Sequence, residues 1–278
     1  MPELPEIRVH AERLTASHAG HILQVFQVLS FTALKTAGVD PLAAVSQPLE
    51  RVDTRAKTLI LRFGATSHLI HLMQGGRVSP DAKLSAKPRN GLARWRFTEG
   101  DALLLTEAGK EHKAGVWVVA GDPLLSDELS GLGPDADTVD VAGLTALLNE
   151  HSARLHGFLR TQTILAGIGR RLANEICHTA RLSPFAMTRK LTPHEIERLH
   201  AALQHEVITS IDFERTQDHM VKSAERPAAV HHREGQACPV CHDTVRAIEY
   251  SRYTVNYCAT CQTGGKVLAD NTTSKFLK

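Results

Sequence analysis

The sequence predicts an α+β fold: a β-sandwich with flanking helices, then a helical region, then a metal-binding β-hairpin. Three observations carry this. Short β-rich runs separated by turn signals fill residues 21 to about 120. Helical stretches follow between 141 and 209. Two CxxC pairs, with 16 residues between them, come last.

The opening "MPELPEI" is the start of a helix spanning residues 4–17, with Ile7, Val9 and Leu14 among its apolar positions. Prolines and glutamates suit a first turn, where the missing N–H is harmless and the helix dipole favours acids. The β-rich runs are "HILQVFQVLS", "TLILRF", "HLIHLM", "ARWRFTEG", "DALLLTEAG" and "GVWVVAG". "GLGPDADT", 131–138, is a Gly/Pro/Asp break. Helices are expected at 141–150, 152–164, 170–181 and 193–209. In "TPHEIERL", Thr192 can cap, Pro193 can open the helix, and Glu195 lies three residues past the cap. In "LAGIGRRLANEI", Gly167 and Gly169 permit a tight turn before a helix starting near Arg170. Free amides at a helix start can hold a phosphate, and an ordinary helical hairpin turn is the simpler alternative.

The chain has 278 residues, enough for one large domain or two modest ones. No run of 18 apolar residues suggests a membrane span, and no basic-then-apolar leader suggests secretion. A cytoplasmic protein is expected. Net charge is +2, but unevenly placed. Residues 1–150 hold 15 Lys/Arg against 18 Asp/Glu, and residues 151–278 hold 17 against 12. A basic second half is compatible with nucleic acid.

Cys238, Cys241, Cys258 and Cys261 can present four thiolates to one tetrahedral ion once a hairpin brings the pairs together. Two disulfides or a redox motif are the alternatives. A reducing compartment argues against the first and ribbon spacing against the second. The reading is one structural Zn²⁺ per chain, with no open catalytic position. Cys177 is read as a core cysteine.

The ordered set "MPELPEI", "RAK" (55–57), "GLGPD" (131–135), "QTILAGIG" (162–169) and "REGQACPVC" (233–241) resembles the formamidopyrimidine-DNA glycosylase/endonuclease VIII family. The resemblance runs from residue 2 to about 262. It implies four segments: a catalytic β-sandwich domain (1–135), a helix–two-turns–helix DNA-binding domain (136–228), a zinc ribbon (229–262) and a tail (263–278). It also implies that removal of Met1 frees the secondary amine of Pro2 as nucleophile. Glu3 matches the family's catalytic acid, Glu6 a second acidic site residue, and Lys57 a lysine that contacts a phosphate beside the lesion. A capped helix start would be the bland account of PELPE, and a solvated strand lysine that of Lys57. Other DNA contacts are expected at Met73 and Gln74 in "HLMQGGR", at His112 and Lys113, at Arg170, and at Arg252 on the ribbon.

The chain also departs from the family pattern. The ribbon arginine normally stands five residues before the third cysteine; Tyr253 is there, and a β-bulge would be needed to redirect Arg252. Arg170 replaces an Asn, and His156 a Lys. The segment ending at Gly115 reads His112-Lys113-Ala114, so the usual inserting aromatic is Ala114 and the arginine facing the orphaned base is His112. The segment 214–230 lacks a glycine-rich lesion-cover loop. The expected activity is a repair glycosylase with AP lyase activity, acting as a monomer on damaged double- or single-stranded DNA in the nucleoid. Substrates other than 8-oxoguanine opposite cytosine are expected, such as bulky, crosslinked or oxidised pyrimidine lesions. A non-catalytic binder of damaged DNA on the same scaffold is the alternative.

Overall fold

The computed structural model of the protein describes residues 1–109, 113–222, 225–250 and 253–268. The chain divides into two compact units, Met1–Gly131 and Leu132–Lys278. Among the described residues no helix is long and apolar enough to cross a membrane.

The first unit begins with helix α1 (Leu4–His18) and continues through eight strands: β1 (Leu23–Val28), β2 (Arg51–Arg55), β3 (Thr58–Phe63), β4 (Thr66–His71), β5 (Gly76–Asp81), β6 (Gly91–Phe97), β7 (Ala102–Glu107) and β8 (Gly115–Ala120). A one-turn helix, α2 (Asp127–Ser130), follows. The strands form two four-stranded antiparallel sheets, ordered β1-β6-β7-β5 and β2-β3-β4-β8. Their inner faces meet at His68 of β4. The Trp95 indole N–H of β6 donates to His68 Nδ1 at 2.8 Å, and the rings of Phe26 and Phe63 lie 4.6 and 5.3 Å from the imidazole. An indole N–H buried this deeply needs an acceptor, and a neutral imidazole supplies one.

Strands β2 and β5 have no counterpart among the β-rich runs of the sequence. Each is the edge of its sheet. In each, a single aliphatic residue, Val52 or Val78, enters the core. Such a strand leaves almost no hydrophobic alternation to detect. Pro80 is tolerated in β5 because an edge strand can spare a donor. Helix α1 is tied to β2 by the Val52 amide, which donates to Thr15 Oγ1 at 2.9 Å.

The second unit contains α3 (Val141–Glu150), α4 (Leu155–Arg160), α5 (Arg170–Thr179), α6 (Pro193–Arg215), the hairpin β9 (Val245–Tyr250)–β10 (Tyr253–Cys258), and α7 (Ala259–Thr263). The helix expected over 152–164 is shorter. It stops at Arg160, because the next residues form turns closed by Gln162. The Gln162 amide donates to the Arg160 and Ile168 carbonyls at 2.8 Å each, and its oxygen accepts from the Gly167 amide at 3.0 Å. Helix α6 starts as expected: the Glu195 carboxylate accepts from the Thr192 amide at 2.8 Å. It runs past residue 209 because Ser210 and Glu214 still face the interior.

Burial lowers His68 to about 3, and burial aided by Arg13 lowers His10 to about 4. Both imidazoles are neutral when folded and take up a proton when unfolded below about pH 6.5. Their contribution is therefore complete above pH 6.5 and is lost as the pH falls towards 4 and then 3. Each should cost about 1 kcal/mol per pH unit over that range. Urea unfolding at pH 7.5 and 5.5 should show a clearly lower midpoint at the acidic pH; equal midpoints would contradict this account.

Candidate active site and metal centre

Glu3 occupies the N-cap of α1, and Pro5 sits in its first turn. The Glu6 carboxylate, three residues on, accepts from the Glu3 amide at 2.5 Å. The helix-start account of PELPE therefore holds as local structure. It leaves unexplained why the acids are so deeply buried: Glu3 is 4% exposed and Glu6 fully buried. Pro2 is buried too, whereas Met1 is 44% exposed. Acids of an ordinary first turn need no such shelter.

Strand register decides what lies near this turn. Thr58 pairs with His71, and His71 with Gly115. Leu34 bridges Val116 in parallel beyond β8. In the other sheet Gly76 pairs with Glu107, and Gly91 with Thr106. The later residues of α1 bind the opposite ends of both sheets, Thr15 at Val52 and His18 Nε2 at the Asp101 carbonyl (2.9 Å). His10 lies back along β5, beside Arg77 and Val78. Traced back from these contacts, the helix begins towards the Thr58/His71/Gly115 end, about 22 Å away over its length. Pro2 and Glu3 share that end of the unit with Lys57, the 73–74 turn and Ala114.

Lys57 is the second residue of the two-residue turn joining β2 to β3, after Ala56 at φ 54°. Hairpin tips are normally wet, yet Lys57 is only 5% exposed. The solvated-lysine account of this residue does not hold. Burial, aided by the Lys57 charge, pushes His71 down to about 4. Neutral His71 accepts the Met73 amide on Nδ1 at 3.1 Å, which fixes the turn in which Met73 takes φ 49°. Met73 is half-buried rather than a core residue, and Gln74 is exposed. Gly75 follows where a Cβ would stand 2.1 Å from the Ala108 carbonyl oxygen. Ala114 is fully buried, its amide donating to Glu107 Oε2 at 2.9 Å, and Lys113 is exposed. His112 lies outside the described residues. Glu107 was not anticipated, since a lone acid ending an apolar strand carries no signature.

In the second unit the Gly167 turn, at φ 96°, leads into α5, whose first residue Arg170 is half-exposed. His156 is buried in α4, and its ring stacks on Tyr253 of β10 with centroids 6.0 Å apart and planes at 19°. The Arg160 guanidinium lies 4.3 Å from the Tyr253 ring centre. Burial first, then Arg160, lowers His156 to about 3, so this imidazole is neutral. The pairing of β10 with β9 runs from Tyr253↔Tyr250 to Cys258↔Val245 without a bulge. Arg252 lies outside the described residues.

The four ribbon sulfurs lie within 4.8 Å of one another. Cys238 and Cys261 are 3.8 Å apart, and Cys241 and Cys258 3.3 Å. A tetrahedral ion with metal–sulfur bonds of about 2.3 Å requires edges of roughly 3.8 Å. The cluster can therefore hold one metal ion. His178 Nε2 of α5 lies 3.3 Å from Cys238 Sγ, placed as an outer-sphere N–H donor of the kind that orients metal thiolates. Cys177 is fully buried and stands apart from the cluster, and burial raises its thiol pKa well above the ordinary value.

The formamidopyrimidine-DNA glycosylase N-terminal domain family matches residues 1–110. A formamidopyrimidine-DNA glycosylase-like protein of Mycobacterium tuberculosis is 38% identical over 149 residues, covering 53% of this chain and 94% of the relative. The formamidopyrimidine-DNA glycosylase of Chloroflexus aurantiacus is 28% identical, covering 94% of this chain and 98% of its own. The crystal structure of the MutM (Fpg) protein of Thermus thermophilus superposes with a TM-score of 0.80 at 25% identity, over 96% of this chain and 100% of that one. Lactococcus lactis Fpg, in a complex with DNA containing an oxidised pyrimidine, shares the fold: TM-score 0.85, 18% identity, 94% and 100% coverage. With the buried Pro2–Glu3–Glu6 turn, the sheltered Lys57 and the four-cysteine ribbon, these likenesses place the chain in the formamidopyrimidine-DNA glycosylase family of DNA repair enzymes.

Proposed function

We propose that this member of a DNA glycosylase and lyase family releases damaged bases through the secondary amine of Pro2, freed by removal of Met1. The amine attacks C1′ of the damaged nucleotide, and the glycosidic bond breaks. The base departs with the bonding electron pair and takes up a proton. Glu3 supplies protons and assists opening of the sugar ring. The resulting iminium acidifies the 2′ hydrogen, so elimination of the 3′ phosphate follows. Lys57 binds a phosphate beside the extruded nucleotide, and Glu6 holds the Glu3 backbone in place. Arg170 and the amides at the start of α5 bind backbone phosphate. The observation that carries this reading is the burial of Pro2, Glu3, Glu6 and Lys57 at one end of one unit.

Borohydride trapping on abasic DNA tests the nucleophile. Pro2→Gly, or a tag retained before Pro2, should abolish the covalent adduct while leaving most of the binding. Trapping at wild-type level with a blocked N-terminus would exclude Pro2, and a wild-type protein that binds without trapping would favour the non-catalytic reading.

The ribbon metal is Zn²⁺, held by Cys238, Cys241, Cys258 and Cys261 in a closed structural site. Mass spectrometry under native conditions should find about one zinc per chain. Cys258→Ser should lower zinc content and weaken DNA binding, whereas Cys177→Ser should leave zinc unchanged. Full zinc in the Cys258→Ser variant would remove that residue from the ligand set.

Specificity follows from what the site lacks. Ala114 is buried and offers no ring to a vacated base position. Holding an otherwise paired duplex open costs a few kcal/mol, and an abasic site has already lost much of that pairing. Single-turnover cleavage should be much faster on an abasic duplex than on 8-oxoguanine opposite cytosine. Equal rates would show that opposite-base recognition is intact.

A further inference from the structure

Among the described residues Phe31 is the one aromatic side chain that stands open to solvent, at 97% exposure. Its backbone is firmly held. The Ser30 amide donates to the Leu92 carbonyl at 3.1 Å, and the Ala33 amide to the Ser30 carbonyl at 2.9 Å. The Lys35 amide donates to the Val116 carbonyl at 2.9 Å, and Thr36 Oγ1 accepts from the Val118 amide at 2.9 Å. Ala33 is fully buried, and a Cβ on Gly115 would stand 2.9 Å from its carbonyl oxygen. The ring is thus carried into water by a pinned one-turn 3₁₀ helix, Phe31–Ala33.

The place of this turn gives the exposure a use. Leu34 bridges Val116, one residue from the Gly115 that pairs with His71. Phe31 therefore belongs to the sheet end that carries Lys57, Gln74 and Lys113. An exposed aromatic on a rigid base, at the end of a DNA enzyme that also carries the Pro2–Glu3 turn and Lys57, suits a nucleobase face. Stacking of this kind is tolerant of sequence, because every base offers a π-face. Apolar side chains on architectural DNA-binding proteins likewise enter opened base steps.

We propose that Phe31 is a base-stacking residue of this enzyme, packing against an unpaired base beside the lesion and contributing surface that buried Ala114 does not. The proposal rests on the glycosylase reading above. A ring that stacks without hydrogen-bonding reads whether a base is already unpaired, not which base stands opposite. It favours DNA that is abasic, gapped or single-stranded.

Phe31→Ala and Phe31→Trp test this, since a side chain so exposed can be replaced without disturbing the fold. Affinity for an abasic-site duplex and for a single strand is measured by fluorescence anisotropy over a range of salt. Borohydride trapping is run on the same preparations. Phe31→Ala should bind about tenfold more weakly, with an unchanged salt slope because no phosphate contact is lost. Phe31→Trp should keep wild-type affinity, and its added emission should be quenched by DNA. Wild-type affinity in Phe31→Ala, or an unquenched Trp, would overturn the proposal whatever the trapping shows. Weakened binding by Phe31→Ala in a protein whose wild type does not trap would refute the Pro2 mechanism and uphold the stacking role.

Discussion

The register in which Thr58, His71 and Gly115 stand side by side is the constraint on which the first unit's chemistry depends. Side chains alternate between the faces of a sheet, so a slip of one residue would turn every inward group outward. It would also separate the turns that this register aligns: Ala56–Lys57, Met73–Gln74, Lys113–Ala114 and Phe31–Ala33. Two close approaches fix the neighbouring segments. Gly75 lies against Ala108, and Gly115 against Ala33 and Lys35, with no room for a Cβ at either. The hydrophobic pattern selects the register by burying Leu59, Leu61, Leu69 and Val118. The functional end of the unit is thus a by-product of correct core packing.

The second unit is organised by one helix with two duties. Helix α5 starts at the glycine turn, with Arg170 as its first residue. Further along, the Glu175 carboxylate accepts from three successive amides, those of Ala229, Val230 and His231, at 2.6, 3.1 and 2.8 Å. The Asn174 amide group contacts His231 at 2.9 Å, and His178 reaches Cys238. A buried carboxylate satisfied by backbone donors is a stiff joint, since removing it would strand several N–H groups at once. The chain entering the ribbon is therefore anchored to α5 by contacts that do not involve the four cysteines.

How much of this was legible in the sequence depended on whether a role is local. The four cysteines announce themselves by spacing, and Thr192 with Glu195 by the capping pattern, because each signal spans few residues. Glu175 and Glu107 gave no signal. Their partners lie 54 residues on, at Ala229, and across a turn, at Ala114, so only folding brings them together. The edge strands β2 and β5 were missed because a single core valine has no period. Lys57 could be located by its match to a motif, but its shelter at a hairpin tip could not. Phe31 lies among "SFTALK", which looks like any strand exit, and only its exposure on a pinned turn sets it apart.

Two departures from the family pattern, far apart in sequence, turn out to touch. His156 stands where a lysine is usual and Tyr253 where the ribbon arginine is usual, and in this chain the two rings stack. The pair replaces two cations, which would repel each other when brought close without an anion between them, with two neutral rings that attract. Arg160 beside the tyrosine restores one charge, and a cation against an aromatic face is held in place without DNA. Burying His156 is tolerable because it stays neutral, where a lysine at the same depth would need a partner for its charge. The exchange makes the junction between α4 and the ribbon self-sufficient.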